Sequence, residues 1–188
     1  KETAKKIVKE ISNSIKRKKI NAEIFIGGSL AKNTIVKKDI YDIDIFIRFD
    51  MIYKNSDISK MTKKIIKDGK KIHGSRDYFQ IIKDNILIEI IPVMKISHPK
   101  EAINVTDLSY FHVHYIEKEI KKNPFLINQI ILAKSFAHSQ NVYGAESYIN
   151  GFSGYALELL IIYYKSFLNM INNIANFNLK NQKKIIID

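Results

Sequence analysis

Residues 27–49 read GGSLAKNTIVKKDIYDIDIFIRF, and this stretch decides how the rest of the chain is organised. A short apolar run, Ile24-Phe25-Ile26, leads into Gly27-Gly28-Ser29; a basic, irregular connection follows, and strict alternation sets in from Asp42 to Phe49. The pattern is a strand, a tight glycine turn and a second strand. Side chains two apart on a strand share a face, so Asp42 and Asp44 point the same way with their backbones about 7 Å apart, while Ile43, Ile45, Ile47 and Phe49 face a core.

Acidic residues are disfavoured in strands, and two side by side repel unless a cation sits between them. A divalent metal is the economical explanation. Carboxylate, phosphate and water oxygens form the ligand set that Mg²⁺ prefers, with Mn²⁺ as the substitute ion. The glycines supply a turn whose backbone N–H groups can approach a triphosphate, Ser29 adds a hydroxyl donor, and Lys32 adds a positive charge. Turn, hydroxyl and paired carboxylates together point to nucleotidyl transfer. A hairpin with a polar outer face explains each feature singly but not their coincidence.

The spacing of these residues, Gly28-Ser29 followed after 12 residues by Asp42-Ile43-Asp44, resembles the signature of the polymerase-β-type nucleotidyltransferase superfamily. The fuller string GGSLAKNT…DIDIF is similar, more narrowly, to the archaeal class I CCA-adding enzymes, or tRNA nucleotidyltransferases. That resemblance implies an α+β fold: a small mixed β-sheet head with flanking helices, followed by a mainly α-helical domain. We expect a catalytic head over residues 1–106 and a helical neck over 107–188, truncated at its C-terminus.

The composition is compatible with this. A chain of 188 residues with 46% hydrophobic content can bury a real core. Cysteine is absent, which excludes disulfides and thiolate metal sites. The N-terminal residues read as no leader peptide, although the chain starts at Lys1 rather than Met, and a cytoplasmic protein is expected. A net charge of +12, from 31 basic and 19 acidic residues, favours a polyanionic partner, although a lysine-rich solvated surface gives the same number.

Apolar positions at helical spacing predict a helix over residues 2–18 and another over 56–71, capped by Ser56 or Asp57 and ended by Gly69. The cluster from Lys16 to Lys19 closes the first. His73 to Ile82 reads as a strand, and Asp84-Asn85 as a hairpin turn into the strand Ile86 to Ile91. That last strand is wholly apolar but for Glu89. A two-metal nucleotidyl transfer needs a third carboxylate, with metals roughly 3.5–4 Å apart, and Glu89 is the candidate. Asp42 and Asp44 would bridge the metals, and Glu89 would hold the one at the primer 3′-hydroxyl. The class I enzymes carry Asp in a Val-Asp-Val-Val-Pro strand here, whereas this chain has Ile88-Glu89-Ile90-Ile91-Pro92. Where they carry His-Pro-Tyr, it reads Arg76-Asp77-Tyr78, and no role is carried onto those residues.

Beyond this strand, DLSYFHVHY (107–115) stands where the family has Asp-Arg-Thr-Pro-Phe-His. The resemblance places Ser109 and His112 near the phosphate or sugar; from the residues alone, His112 and His114 read as ordinary hydrogen-bonded side chains. Asn123-Pro124 marks a boundary, after which Phe125 to Ser139 forms a helix with Lys134 on its apolar stripe. Such a lysine either snorkels to solvent or meets an anion. Lys134, Asn141-Val142-Tyr143-Gly144-Ala145-Glu146 and Gly151-Phe152-Ser153-Gly154-Tyr155 resemble the family segment Lys…Gly-x-Tyr-Gly-Ala-Glu…Gly-Phe-Ser-Gly-Tyr. The resemblance implies that Lys134 and Tyr143 contact the nucleotide triphosphate, and Ser153 reads as an N-cap. Gly154 to Ile171 reads as one central bundle helix, too interrupted by Glu158 and Lys165 for a membrane span. The polar tail carries Lys180, Lys183 and Lys184 before an apolar end, Ile185 to Ile187.

The implied activity is addition of C and A from CTP and ATP to a tRNA 3′ end, with no membrane association. Two alternatives carry less of the pattern: a poly(A) polymerase or oligoadenylate synthetase relative, which would lack the second glycine-rich block, and an RNA-binding module that has lost catalysis.

Overall fold

The computed structural model describes residues 2–37, 40–83, 85–145 and 148–176. Asp84, Glu146 and the basic and apolar tail from Lys180 to Ile187 lie outside the described residues. The chain divides into two compact units, residues 1–31 with 37–113 and residues 32–36 with 114–188.

The first unit is built on a five-stranded mixed sheet. Its strands are β1 (Ala22–Ile26), β2 (Tyr41–Phe49), β3 (Lys70–Ile72), β4 (Tyr78–Lys83) and β5 (Ile86–Met94), in the order β1-β2-β5-β4-β3. Only β2 and β5 run parallel. The alternation in β2 has the expected outcome: Ile43, Ile45, Ile47 and Phe49 are buried, and their register partners Ile88, Ile90 and Met94 are buried with them. Helices α1 (Glu2–Arg17) and α3 (Ile58–Ile65) cover this face, inserting Ala4, Ile11, Ile15, Ile58 and Ile65 into the same core. Each isoleucine among them, removed from water, contributes about 1.5–3 kcal/mol. The opposite face carries Asp42, Asp44, Phe46 and Arg48.

Asp57 caps α3, its carboxylate accepting from the Lys60 N–H at 2.9 Å, but the helix stops well short of Gly69. Ile66 turns extended and is itself buried, so the chain leaves the helix to keep two successive isoleucines in the core. The strand expected over 73–82 is instead a hairpin of β3 and β4. Gly74-Ser75 lies in the turn between them, where Asp77 accepts from Lys71 and pairs with His73. Asn85, at φ +56°, supplies the left-handed step before β5. Strand β5 runs through Pro92 to Met94, longer than its apolar run suggests. Its pairing with β4 ends at Phe79↔Ile90, so Pro92 stands where the strand has only β2 beside it and its missing N–H costs no ladder bond.

The second unit is helical. Helix α4 (Ser109–Lys122) crosses into it from the first, and α5 (Leu126–Ser139), α6 (Gly154–Tyr164) and α7 (Phe167–Ala175) complete it. Ile116, Leu126, Ile130, Ala133, Ile161 and Met170 form its core. The single helix expected from Gly154 to Ile171 is broken: Lys165 adopts the left-handed conformation at φ +67°, and Ser166 caps α7 by accepting from the Asn169 N–H. The break turns the amphipathic residues of α7 back onto the same core.

Candidate active site

The short helix α2 (Gly28–Ala31) follows β1 directly. The Gly27 N–H donates to the Asp44 carbonyl at 2.9 Å, pinning the turn to β2. Gly28 has φ +62°, and a Cβ there would fall on Oδ2 of Asp44, so only glycine lets the backbone lie against that carboxylate. Asp44 is in turn the register partner of Glu89, and Asp42 lies two residues away on the same face opposite Leu87. Parallel neighbours on adjacent strands stand about 4.8 Å apart. The sheet thereby gathers Gly28, Asp42, Asp44 and Glu89, with Ser29 next in α2. Gln80 of β4, opposite Glu89 on its other side, donates from Nε2 to Glu89 Oε1 at 2.8 Å.

The first turn of α4 reaches the same sheet face. Tyr110 packs edge-on against Phe25 at 5.1 Å and lies under the Arg48 guanidinium at 3.6 Å, while Arg48 pairs with Glu23. Ser109 opens this helix and His112 lies one turn on, both half-buried. Ahead of it, Asp107 is buried and accepts from Arg76, from the Met94 N–H at 2.8 Å and from the Asn104 N–H at 2.9 Å. Burial pushes this carboxyl up, but the Arg76 guanidinium and the two N–H groups outweigh it and hold Asp107 below its ordinary value. Arg76 therefore has a structural partner that its sequence neighbourhood did not reveal.

In the second unit one carboxylate collects two of the expected lysines. Glu158 of α6 is fully buried; its Oε2 accepts from Lys32 Nζ at 2.6 Å, and its Oε1 accepts from Lys134 Nζ at 2.7 Å and Thr34 Oγ1 at 3.2 Å. Lys134 also donates to Thr34 Oγ1 at 3.0 Å. Lys134 is thus buried on an anion rather than extended to solvent. Glu158 was legible only as an interruption in an apolar helix, and nothing near Thr34 announced a partner 124 residues away.

Tyr143 stacks on His138 with ring centres 3.8 Å apart. A Cβ on Gly154 would come within 2.7 Å of the Tyr143 hydroxyl, so the glycine keeps that space open. The two glycine-rich blocks are zipped together by Gly144 N–H to Phe152 O, Gly151 N–H to Gly144 O and Phe152 N–H to Val142 O. Ser153 caps α6, its hydroxyl accepting from the Ala156 N–H at 3.1 Å, as the GFSGY turn implies.

A glycine turn set against a carboxylate, with a second acid on the next parallel strand, defines the head of a nucleotidyltransferase. Residues 8–136 match the family model described as nucleotidyltransferase domain, and residues 128–188 match that described as tRNA nucleotidyltransferase, second domain. The CCA-adding enzyme of Nanoarchaeum equitans is 41% identical, over 100% of this chain and 46% of its own length. That of Methanocaldococcus jannaschii is 32% identical, over 88% and 37%, and a CCA-adding enzyme sequence from Thermoplasma acidophilum is 30% identical, over 97% and 80%. The chain spans less than half the length of the first two relatives. Among solved structures, the Cid1 poly(U) polymerase superposes with a TM-score of 0.64 at 17% identity, over 87% of this chain and 48% of that one. The polymerase core of TRAMP gives 0.60 at 13%, over 87% and 49%. These two share the fold. The chain belongs to the nucleotidyltransferase family, in the branch of the tRNA nucleotidyltransferases.

That family generally uses divalent metal ions. The acids fit one by chemistry, being hard oxygen donors on a shared face. Among the described residues no three His, Cys, Asp or Glu side chains close into a metal-sized cage. Asp42, Asp44 and Glu89 share one sheet face without forming such a cage; Mg²⁺ held by one or two carboxylates takes its remaining ligands from phosphate and water oxygens. No described helix is long and apolar enough to cross a membrane.

Proposed function

We propose that this protein is a cytoplasmic, metal-dependent tRNA 3′-end nucleotidyltransferase that adds C and A from CTP and ATP to regenerate the CCA terminus, releasing pyrophosphate. The observation that carries the reading is the register Asp44↔Glu89 with Asp42 beside them and Gly28 against Asp44. The names of the curated relatives and the second-domain match supply the substrate class.

Asp42, Asp44 and Glu89 would hold Mg²⁺, with Mn²⁺ as substitute; when bound, the metal supplies charge neutralisation at the triphosphate and a more acidic 3′-hydroxyl. The hydroxyl gives up its proton to water as its oxygen forms a bond to the α-phosphorus, the bond from that phosphorus to the bridging oxygen breaks with its electron pair, and pyrophosphate leaves. Gly28 keeps the turn free of a side chain at the Asp44 carboxylate, and Ser29 offers a hydroxyl donor. To Lys32, Lys134 and Tyr143 we assign contacts with the incoming nucleotide. One carboxylate, Glu158, holds both lysines side by side, so one anchor positions the two cations assigned to the nucleotide. Ser109 and His112 are assigned to the phosphate or sugar. Positioning and charge neutralisation are the main demands of phosphoryl transfer, and these groups supply both.

The test is incorporation of labelled CTP and ATP, with Mg²⁺ or Mn²⁺, into tRNAs ending before the first C, before the second C and before the terminal A. CTP is expected on the first two and ATP on the third, with loss in Asp44→Ala. Long A tails would move the assignment to a poly(A) polymerase, and tRNA binding without incorporation would leave only an RNA-binding module.

A further inference from the structure

We propose that Gln80 is a positioning residue for Glu89, holding one oxygen of its carboxylate so that the other stays available on the face shared with Asp42 and Asp44. This rests on the reading of those three acids as metal-holding groups.

Glu89 occupies an unusual place. On one side its register partner is the acid Asp44, and on the other it is Gln80. Directly opposed residues of an antiparallel pair have Cβ atoms about 4.5–5.5 Å apart, close enough for a glutamine and a glutamate to meet without strain. The bond that results is short and direct, Nε2 to Oε1 at 2.8 Å, between two half-buried side chains where water competes less well.

Three physical consequences follow from the pairing. A glutamate has one more rotatable bond than an aspartate, and a donor on the neighbouring strand removes that freedom at the carboxylate itself. The donor comes from β4, the side away from β2, so it holds Glu89 apart from its like-charged neighbour Asp44. An amide orients the carboxylate without neutralising it, as a lysine or arginine in the same place would, and the full negative charge remains for a cation. Hydrogen bonds of this kind to metal-holding carboxylates are worth about 10–100-fold in metal affinity or activity.

The experiment is a Mn²⁺ titration followed by the paramagnetic resonance of the free ion, on the parent, Gln80→Leu, Glu89→Asp and the double variant, each checked by thermal melting. Gln80→Leu is expected to weaken Mn²⁺ binding about tenfold with the melting temperature retained. In the Glu89→Asp background the shorter carboxylate no longer reaches Gln80, and Gln80→Leu adds about nothing further. In nucleotide incorporation, Gln80→Leu lowers kcat and leaves the KM for CTP and ATP in place. Mn²⁺ binding by Gln80→Leu equal to or tighter than the parent's overturns the proposal, as does an equal penalty in both backgrounds, or no Mn²⁺ binding by the parent. Failure of the nucleotide-transfer reading looks different: the Mn²⁺ pattern holds while nothing is incorporated into tRNA.

Discussion

Replacing Glu158 by glutamine removes one negative charge and almost no volume, yet it takes a shared buried anion away from two buried cations. The carboxylate is inaccessible to solvent, and Lys32 and Lys134 are 8% and 3% exposed. The two carboxylate oxygens hold ammonium groups at 2.6 and 2.7 Å, and as a general scale two like unit charges about 4 Å apart repel by roughly 4 kcal/mol at an effective dielectric constant near 20. Breaking a buried ion pair by removing one partner costs about 3–5 kcal/mol. Glu158→Gln is therefore expected to lose about 3–5 kcal/mol of unfolding free energy. Lys134→Met leaves the Lys32 pair intact and removes the bonds to Glu158 Oε1 and Thr34 Oγ1; it should lose less than Glu158→Gln, on the order of the 1.5–3 kcal/mol of a charge-assisted bond. The sharper expectation concerns the double variant: removing Lys134 from Glu158→Gln relieves the repulsion and restores about 1–3 kcal/mol, an interaction energy of opposite sign to simple addition. Urea unfolding followed by far-ultraviolet circular dichroism at neutral pH measures all three. A Glu158→Gln variant within 1 kcal/mol of the parent, or a double variant less stable than it, would refute the electrostatic account.

Gly28→Ala places a methyl group on the Asp44 carboxylate and an alanine at φ +62°. The backbone cost is about 1 kcal/mol, so melting should shift little, whereas nucleotide incorporation should fall about tenfold or more as Asp44 is displaced. Undiminished incorporation would show that Gly28 does not set the position of Asp44. Asp107 sits below the ordinary carboxylate pKa, so the unfolded chain binds its proton first, and the stability it contributes is full above about pH 4 and is lost as pH falls through the lower folded value. Asp107→Asn is expected to be less stable at neutral pH and to show a shallower loss of stability on acidification, read from urea midpoints at pH 7 and pH 3. A parallel acid profile for parent and variant would contradict the role of the Arg76 pair.

Much of the first unit was legible because its signals are local. Period-two alternation placed Asp42 and Asp44 on one face and Ile43, Ile45, Ile47 and Phe49 on the other; that follows from strand geometry alone and needs no partner. The glycine turn, the Asp57 and Ser153 caps and the break at Asn123-Pro124 are likewise short-range chemistry. Two continuous patterns are interrupted by short-range features: Gly74-Ser75 turns the chain within a strand-like run, and the left-handed Lys165 with the Ser166 cap divides an apolar stretch that reads as one helix.

Local patterning along the chain thus sets which residues face a core and which present polar groups on the opposite face. The partners of those residues were decided only in three dimensions. Strand order put β5 beside β2, so that Glu89 lies next to Asp44 across 45 residues of chain, and it put Gln80 on the other flank of Glu89. The fold also brought Lys32 and Lys134 onto Glu158. Periodicity records the direction of a side chain relative to its own backbone; register between distant strands and the closing of a buried ion cluster depend on the free energy of the assembled whole, which no window of sequence contains.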